Sequence, residues 1–210
     1  MELLLEISTS LQAGDDGRVY ELTVKAIEEG IGPKEILDDG LIAGMNVIGE
    51  RFRRHEIFLP DVLLAARAMY AGLDHLKPLF LRDGITGRGT VVLGTVQGDL
   101  HDIGKNLVGI MLRGAGYEII DLGKDVAPET FIETAEKEAA QLIGMSTLLT
   151  TTTPVMARVI ELLKEKGLDG QIRTIVGGAP VSEGLAREIG ADSYGYDAAN
   201  AVEVVKALLV

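Results

Sequence analysis

The sequence predicts an all-α bundle followed by an α/β domain with a five-stranded parallel sheet. Two observations predict this: the N-terminal part carries apolar residues at helical spacing, and later short β-rich runs alternate with helical segments. Between these parts LRDGITGRG, residues 81–89, breaks the pattern with three glycines and scattered charges. We therefore expect domains at residues 1–86 and 87–210.

Four segments of the N-terminal part have apolar residues three to five positions apart, as in helices that bury one face. They are residues 1–11, 15–30, 33–53 and 60–79. The pattern of the third comprises Ile36, Leu41, Met45, Ile48 and Phe52. Because Pro33 and Pro60 stand where helices commonly begin, the segments predict a four-helix bundle.

The C-terminal part alternates strands and helices. The predicted strands are TVVLGTV, EIIDLG, LIGMSTL, TIVGG and DSYGY. The predicted helices lie near 104–115, 127–139, 154–167, 180–189 and 198–209. Such alternation joins parallel strands through right-handed crossovers, so we expect a flavodoxin-like (Rossmann-like) sheet with helices on both faces. Ligands of such sheets bind beyond the carboxyl ends of the strands.

Composition narrows the function. With 47% hydrophobic residues the chain can fill a core, and a net charge of −12 disfavours binding to nucleic-acid phosphates. The chain has no cysteine, which excludes disulfides, thiolate metal sites and thiol nucleophiles. MELLLEISTSLQAG lacks the basic start of a signal peptide, and no run approaches the roughly 20 apolar residues of a membrane span. We expect a cytoplasmic protein with neither nucleic-acid nor membrane partners.

His101 is the residue that indicates chemistry. It follows the first predicted strand, in GTVQGDLHDIGKN, whereas His55 and His75 lie in helical segments and are expected to be structural or surface residues. A metal-binding imidazole needs an acceptor for its second ring N–H, usually a carboxylate. We expect Asp99 to be that acceptor and Ser146, at a neighbouring strand end, to donate to Asp99 in turn.

One histidine is too few for a metal site built by the protein, which commonly takes three or four ligands. The metal would have to arrive already coordinated inside a macrocycle, with His101 as its axial ligand. Two loops rich in glycine or hydroxyl groups, MSTLLTTTT from residue 145 and VGGAP at 176–180, are predicted at the same edge. Each alone has an ordinary explanation as a turn or a strand end, but together they indicate a binding site.

These residues resemble the motifs of cobalamin-binding domains in which a histidine replaces the cofactor's own lower base. D-x-H-x-x-G is present as Asp99–Gly104, S-x-L follows 41 residues later as Ser146–Leu148, and G-G follows after 28 more as Gly177–Gly178. MNVIGERFRRHEIFLPDVLLAARAM is similar to the helical cap of methionine synthase and of the corrinoid proteins that serve anaerobic methyltransferases. The resemblance covers nearly the whole chain.

The resemblance implies a corrinoid with its nucleotide base displaced and His101 on the cobalt, with Asp99 and Ser146 as the relay behind the imidazole. The nucleotide tail would enter a slot between strands, where a Cβ at Gly177 or Gly178 would occupy its space. The remaining implied cofactor-binding positions in this domain are Gly98, Asp102, Ile103, Gly104, Leu148, Thr150, Ala179, Tyr194, Asp197 and Ala198.

In the bundle, the resemblance assigns Phe52 and Leu59 to the upper face of the corrin. There they would shield a methyl group on cobalt. An apolar helix residue serves equally well as plain bundle core, so both roles stay open for these two positions.

The resemblance also implies a function, that of a methyl carrier. Co(I) would accept a methyl group from a substrate held by a substrate-specific methyltransferase. Methyl-Co(III) would pass it to a second methyltransferase that uses tetrahydrofolate or a thiol, and a reductive activase would rescue Co(II). The chain would be the corrinoid subunit of such a system and not a complete enzyme. Methanol, methylamines, methoxylated aromatics and betaines stay open as donors, as do the lower base and the oligomeric state.

Two other classes of protein compete with this interpretation. A cobalamin-dependent sensor would use the same two domains, but its DNA-binding module would usually be basic, whereas residues 1–30 have an excess of acids. A sensor that acts through protein partners stays open. A response-regulator receiver would need a phosphoacceptor aspartate after its third strand, where this chain has STLLTTTT.

Overall fold

A computed structural model describes residues 2–83 and 87–209. They divide into two compact units. The first unit is the chain up to Gly87 together with Gly114–Gly116, and the second is Arg88–Arg113 with the residues from Tyr117 onward. The predicted domain boundary after residue 86 adjoins residues 84–86, which lie outside the described part of the chain.

The first unit is all-helical. Its elements are α1 (Glu2–Gln12), α2 (Asp16–Glu28), α3 (Pro33–Glu35), a π-helical segment (Ile36–Ile42), α4 (Ala43–Arg53) and α5 (Leu59–Asp83). Because α3, the π-helical segment and α4 follow one another without a break in helical backbone, they form one helix. The four predicted helices are therefore confirmed, with α2 packed on α5 and α1 packed on α2 and α4.

The π-helical segment explains an irregular interval in the apolar pattern. Ile36 and Leu41 stand five residues apart, and both are fully buried. Met45 and Ile48, which follow at intervals of four and three, are buried as well. An interval of five matches the i→i+5 repeat of a π-helix, whereas three and four match an α-helix. The helix thus keeps one apolar face toward the core in spite of an extra residue.

Helix α5 is the longest helix of the described part, with 25 residues. It buries small and apolar residues at helical spacing, among them Val62, Ala65, Met69 and Leu76. Within residues 2–83 and 87–209, no helix combines the length and the apolar character that crossing a membrane requires.

The second unit is built on a five-stranded parallel sheet. Its strands are β1 (Thr90–Val96), β2 (Glu118–Val126), β3 (Leu142–Ser146), β4 (Arg173–Gly177) and β5 (Ser193–Gly195), in the order β2-β1-β3-β4-β5. Its longer helices are α6 (Ile103–Gly114), α7 (Pro128–Lys137), α8 (Thr153–Glu165), α9 (Glu183–Ile189) and α10 (Ala198–Leu208). This is the flavodoxin-like order, so the predicted fold class is confirmed.

The strand order reverses between β1 and β3. From β1 the chain first crosses to β2 on one side and later returns to β3 on the other. The loops after β1 and β3 therefore leave the sheet in different directions, which opens a crevice at the carboxyl ends of these two strands. His101 and Asp99 lie in the loop after β1, and Ser146 is the last residue of β3.

Strand β2 is irregular near its carboxyl end. Its pairing with β1 shifts twice, because Leu93 and Gly94 pair with Asp121 and Gly123, and Val96 then pairs with Val126. β2 therefore has one extra residue at each of two places, as in β-bulges, which re-aim a strand end. The strand also continues to Val126, three residues beyond the predicted EIIDLG.

Candidate functional site

His101 is held by Asp99 through both its ring and its main chain. The ring Nδ1 lies 2.7 Å from Oδ1 of Asp99, and the His101 main-chain N–H donates to the same oxygen at 2.9 Å. The buried hydroxyl of Thr95 donates to the carbonyl of His101 at 2.9 Å. Because a carboxylate has no proton to offer, Nδ1 carries the hydrogen and Nε2 keeps its lone pair. The imidazole is 55% exposed, so Nε2 is available to a ligand.

The second carboxylate oxygen of Asp99 is also fully used. It accepts hydrogen bonds from the Thr147 hydroxyl at 2.8 Å and from the main-chain N–H groups of Leu148 at 2.6 Å and Leu149 at 3.2 Å. The Thr147 hydroxyl also lies 2.5 Å from that of Thr152. Since Thr147 gives its only proton to Asp99, Thr152 is the donor in that contact. The result is a chain of hydrogen bonds from Thr152 through Thr147 and Asp99 to His101.

The hydroxyl donor to Asp99 is therefore Thr147, and not Ser146 as the sequence suggested. Ser146 is the last residue of β3, whereas Thr147 follows the strand and directs its hydroxyl toward Asp99. Thr147 is buried beside the carboxylate, whereas Ser146 lines a cleft on the other side. The hydroxyl-rich segment STLLTTTT was visible in the sequence, but which hydroxyl reaches Asp99 depends on the turn after β3.

The pKa of Asp99 follows from two opposing effects. Burial by itself would raise the pKa, because it penalises the charged form. Hydrogen bonds from the main-chain N–H groups of His101 and Leu148, the His101 ring and the Thr147 hydroxyl outweigh burial. They hold the pKa of Asp99 well below its usual range. Asp99 is thus an ionised, buried carboxylate beside the imidazole at neutral pH.

A cleft of about 430 Å³ lies between α6 and the ends of β3, β4 and β5. Its volume is that of a typical small-molecule site. Eight of the expected cofactor-binding residues line it: Gly104, Ser146, Gly177, Gly178, Ala179, Tyr194, Asp197 and Ala198. The sequence thus identified much of a real cavity.

The glycine pair of the cleft is required by the backbone as well. A Cβ on Gly177 would lie 2.9 Å from the carbonyl oxygen of Gly195, and one on Gly178, whose φ is +122°, would lie 1.8 Å from that of Thr147. These glycines therefore allow strand ends to approach each other. This requirement of the backbone adds to the expected space for a ligand. At Gly104, by contrast, a Cβ would meet no protein atom within 4 Å. The start of α6 therefore leaves open space on the cleft side.

Apolar side chains flank the imidazole and point into solvent. Leu100 is 63% exposed, Ile103 75% and Leu148 46%. A flat macrocycle held by Nε2 would cover such side chains, so the surface fits a large, mostly apolar group. Asp102 is half-buried in the same loop, Gly98 has a φ of +85°, and Thr150 is exposed after β3.

The expected bundle residues lie on either side of the connection between α4 and α5. Phe52 and Leu59 are both half-buried, and Phe58 beside them is 70% exposed. Their expected role above a corrin stays a prediction. The two other histidines are in this unit too: His55 is exposed just after α4, and His75 packs edge-on against Tyr20 at 4.4 Å between ring centroids.

The fold and the site together define a class of protein. A flavodoxin-like sheet offers an oriented imidazole at its switch point and a cleft beside it, which fits a metal-centred macrocycle with a tail. A family model described as "B12 binding domain" matches residues 89–205, and a second model of that description matches residues 3–77. The chain belongs to the B12-binding domain family, and its cofactor is a corrinoid.

Relatives match the chain over its whole length. It is 46% identical over 210 residues to the dimethylamine corrinoid protein of Methanosarcina barkeri, covering 99% of this chain and 98% of the relative. It is 42% identical over 210 residues to trimethylamine corrinoid protein 2 of Methanosarcina acetivorans, covering 99% and 97%. Among solved structures it is similar to the methanol:cobalamin methyltransferase complex of Methanosarcina barkeri, with a TM-score of 0.88 and 34% identity, covering 99% of this chain and 80% of that one.

Proposed function

We propose that this chain is a corrinoid methyl carrier in which His101 is the axial ligand of cobalt through Nε2. The observation that carries the proposal is the 2.7 Å contact between Nδ1 of His101 and the buried carboxylate of Asp99, which leaves Nε2 as the free, exposed ring nitrogen. The relatives named as methylamine corrinoid proteins support the carrier role.

The bound corrinoid would supply a cobalt atom that takes up a methyl group and gives it to a second acceptor. The chain's own residues would control the proton on the imidazole. While Nε2 binds the metal it needs no proton, and Asp99 keeps Nδ1 protonated. With Nδ1 hydrogen-bonded to Asp99, the exposed Nε2 would be the ring nitrogen that Asp99 orients toward the metal.

The cleft would hold the nucleotide tail of the corrinoid. Its lining offers the hydroxyl groups of Ser146 and Tyr194 among mostly apolar neighbours. Above the corrin, Phe52 and Leu59 of the bundle would shield the methyl group from water. Residues 1–86 would then be the cap domain and residues 87–210 the cobalamin domain.

Partners would complete the reaction. A substrate-specific methyltransferase would deliver the methyl group, and a second methyltransferase would pass it to tetrahydrofolate or a thiol. A reductive activase would restore cobalt that has been oxidised. The similarity to a methanol:cobalamin methyltransferase complex supports a pairing of this kind. The chain alone would be one subunit and not a complete enzyme.

The test is a titration of the purified chain with hydroxocobalamin and methylcobalamin, followed by ultraviolet–visible absorption, and electron paramagnetic resonance of the Co(II) form. We expect nitrogen hyperfine splitting from an imidazole in the wild type and in His75→Ala, the matched control in the bundle. His101→Ala should lose the splitting. Wild-type spectra in His101→Ala would refute the ligand assignment, and a chain that binds neither cobalamin would refute the carrier role.

A further inference from the structure

The bulged end of β2, residues Asp121–Val126, contacts the His101 loop at both of its ends. We use "His101 loop" for residues 97–105, which join β1 to the first turn of α6. The loop surrounds the functional imidazole, yet Gln97, Gly98 and Leu100 are exposed. Contacts from a neighbouring strand therefore matter for where the imidazole stands.

Asp125 holds the first end of the loop. Its Oδ1 accepts a hydrogen bond from the N–H of Gly98 at 2.8 Å, and its own N–H donates to the carbonyl of Asp99 at 3.1 Å. Asp125 has a φ of +56°, in the left-handed region that non-glycine residues rarely adopt. Such a conformation persists where surrounding contacts determine it, and it recurs at functional sites.

Lys105 holds the other end of the loop. Its side chain is 1% exposed, and Nζ donates to both carboxylate oxygens of Asp121, at 2.6 and 2.7 Å. Nζ also donates to Oδ1 of Asn106 at 2.7 Å. A buried ammonium is costly unless it is paired, so this contact fixes the first turn of α6 against β2. Asp121 is oriented in turn by the N–H of Gly123 at 2.9 Å.

We propose that the bulged end of β2 positions His101 under the cofactor, because Asp125 and Asp121 each bind one end of the His101 loop. This rests on the proposed function, in which His101 ligates cobalt. Neither carboxylate touches the imidazole, so both act as positioning residues through the loop. Small displacements matter here, since a ligand has to stand within a fraction of an ångström of its bonding position.

Three variants of the cobalamin-loaded protein test Asp125. Asp125→Gly keeps the left-handed backbone but removes the acceptor for Gly98. Asp125→Asn keeps an oxygen acceptor and tolerates the same φ. Ala139→Gly is the control. Ala139 also has a positive φ, of +49°, but it lies in the turn before β3, at the amino-terminal ends of the strands and away from the His101 loop. Comparison with this control separates the effect of relieving backbone strain from the effect of losing the hydrogen bond between Asp125 and Gly98.

The measurement is the ratio of imidazole-ligated to unligated Co(II) cobalamin, from electron paramagnetic resonance at one fixed, neutral pH. We expect Asp125→Gly to lower this ratio about tenfold, as for the loss of one hydrogen bond to a charged group. Asp125→Asn and Ala139→Gly should stay near the wild-type ratio. A merely structural contribution of Asp125 would lower thermal stability and leave the ratio unchanged.

Lys105→Met tests the second contact by the same readout, because methionine fills a similar volume without the charge. We expect the ratio to fall again, with corrinoid still bound. Wild-type ratios in both Asp125→Gly and Lys105→Met would overturn the positioning role. If the wild type itself showed no imidazole splitting, the proposed ligation would have failed instead, so the two failures are distinguishable.

Discussion

Asp99 accepts five hydrogen bonds with two oxygens, and this shapes the charge of the whole site. Two come from His101, and three come from the segment after β3. A carboxylate so surrounded is stabilised in its ionised form, which explains the low pKa of Asp99 despite full burial. The same contacts tie the two loops of the switch point together.

The stability of the cofactor-free protein should therefore depend on Asp99 and on pH. A carboxyl group whose pKa is lower in the folded state stabilises the fold above its unfolded pKa of about 3.9, and the effect fades as pH falls below that value. We expect Asp99→Asn to lower the free energy of unfolding by about 2 kcal/mol at neutral pH. Urea unfolding of wild type and variant, repeated between about pH 7 and pH 3, measures the difference. A difference that did not shrink in acid would contradict this account.

Much of the site could be predicted from single residues, and the exceptions are instructive. The placement of His101 beside Asp99 followed from two positions of spacing at a strand end. The Thr147 hydroxyl could not be assigned, because Ser146 and Thr147 are adjacent hydroxyl residues in the sequence and only the turn after β3 selects one. The acceptor role of Asp125 was also hidden, since it arises from the bulges in β2.

At the scale of elements, the π-helical segment is the feature that sequence periodicity only hinted at. A five-residue interval between Ile36 and Leu41 is ambiguous in a sequence, because a regular α-helix with a skipped position gives the same spacing. In the structure an extra residue is accommodated inside the helix, and the apolar face continues. The long, periodic elements were predictable, while strand ends and helix irregularities depended on tertiary contacts.

Removing one residue from the π-helical segment should convert it to regular α-helix. We expect deletion of Asp39, which is exposed, to change the free energy of unfolding by about 1 kcal/mol or less, because Met45 and Ile48 keep their orientation. Deletion of the exposed Val47 in α4 is the control. It should rotate Ile48 away from the core by about 100° and cost several kcal/mol. Urea unfolding with helix content followed by circular dichroism compares the two, and equal losses would refute the prediction.

At the scale of the whole molecule, the His101 site and the cleft both lie within the second unit. Every residue that contacts Asp99 and every residue that lines the cleft belongs to the second unit. The first unit contains the half-buried Phe52 and Leu59 and an exposed Phe58, and the role of Phe52 and Leu59 above a corrin stays a prediction. The division into two units was predictable from the sequence, because the apolar pattern changes from helical spacing to alternating strands and helices.

A fragment of residues 88–210 should therefore bind hydroxocobalamin by itself. We expect its affinity to lie within about tenfold of that of the full chain, because the cleft and the His101 loop are intact and such a domain has its own core. Its Co(II) form should show the same imidazole splitting. Absorption titration and electron paramagnetic resonance measure both, with the His101→Ala fragment as control. A folded fragment that failed to bind would show that residues 1–87 contribute to the affinity itself.

The three anchors of His101 also bear on how a ligand can leave a metal and return. Its N–H, its carbonyl and its ring Nδ1 are each bonded to a buried side chain, so an exposed imidazole has already lost most of its rotational freedom. Rebinding would then cost little conformational entropy. A detached Nε2 would stay beside the cobalt at a high effective concentration, and recapture would be an intramolecular event. If His101 is the axial ligand, as proposed, an anchored imidazole of this kind would let ligation change without the cofactor being lost.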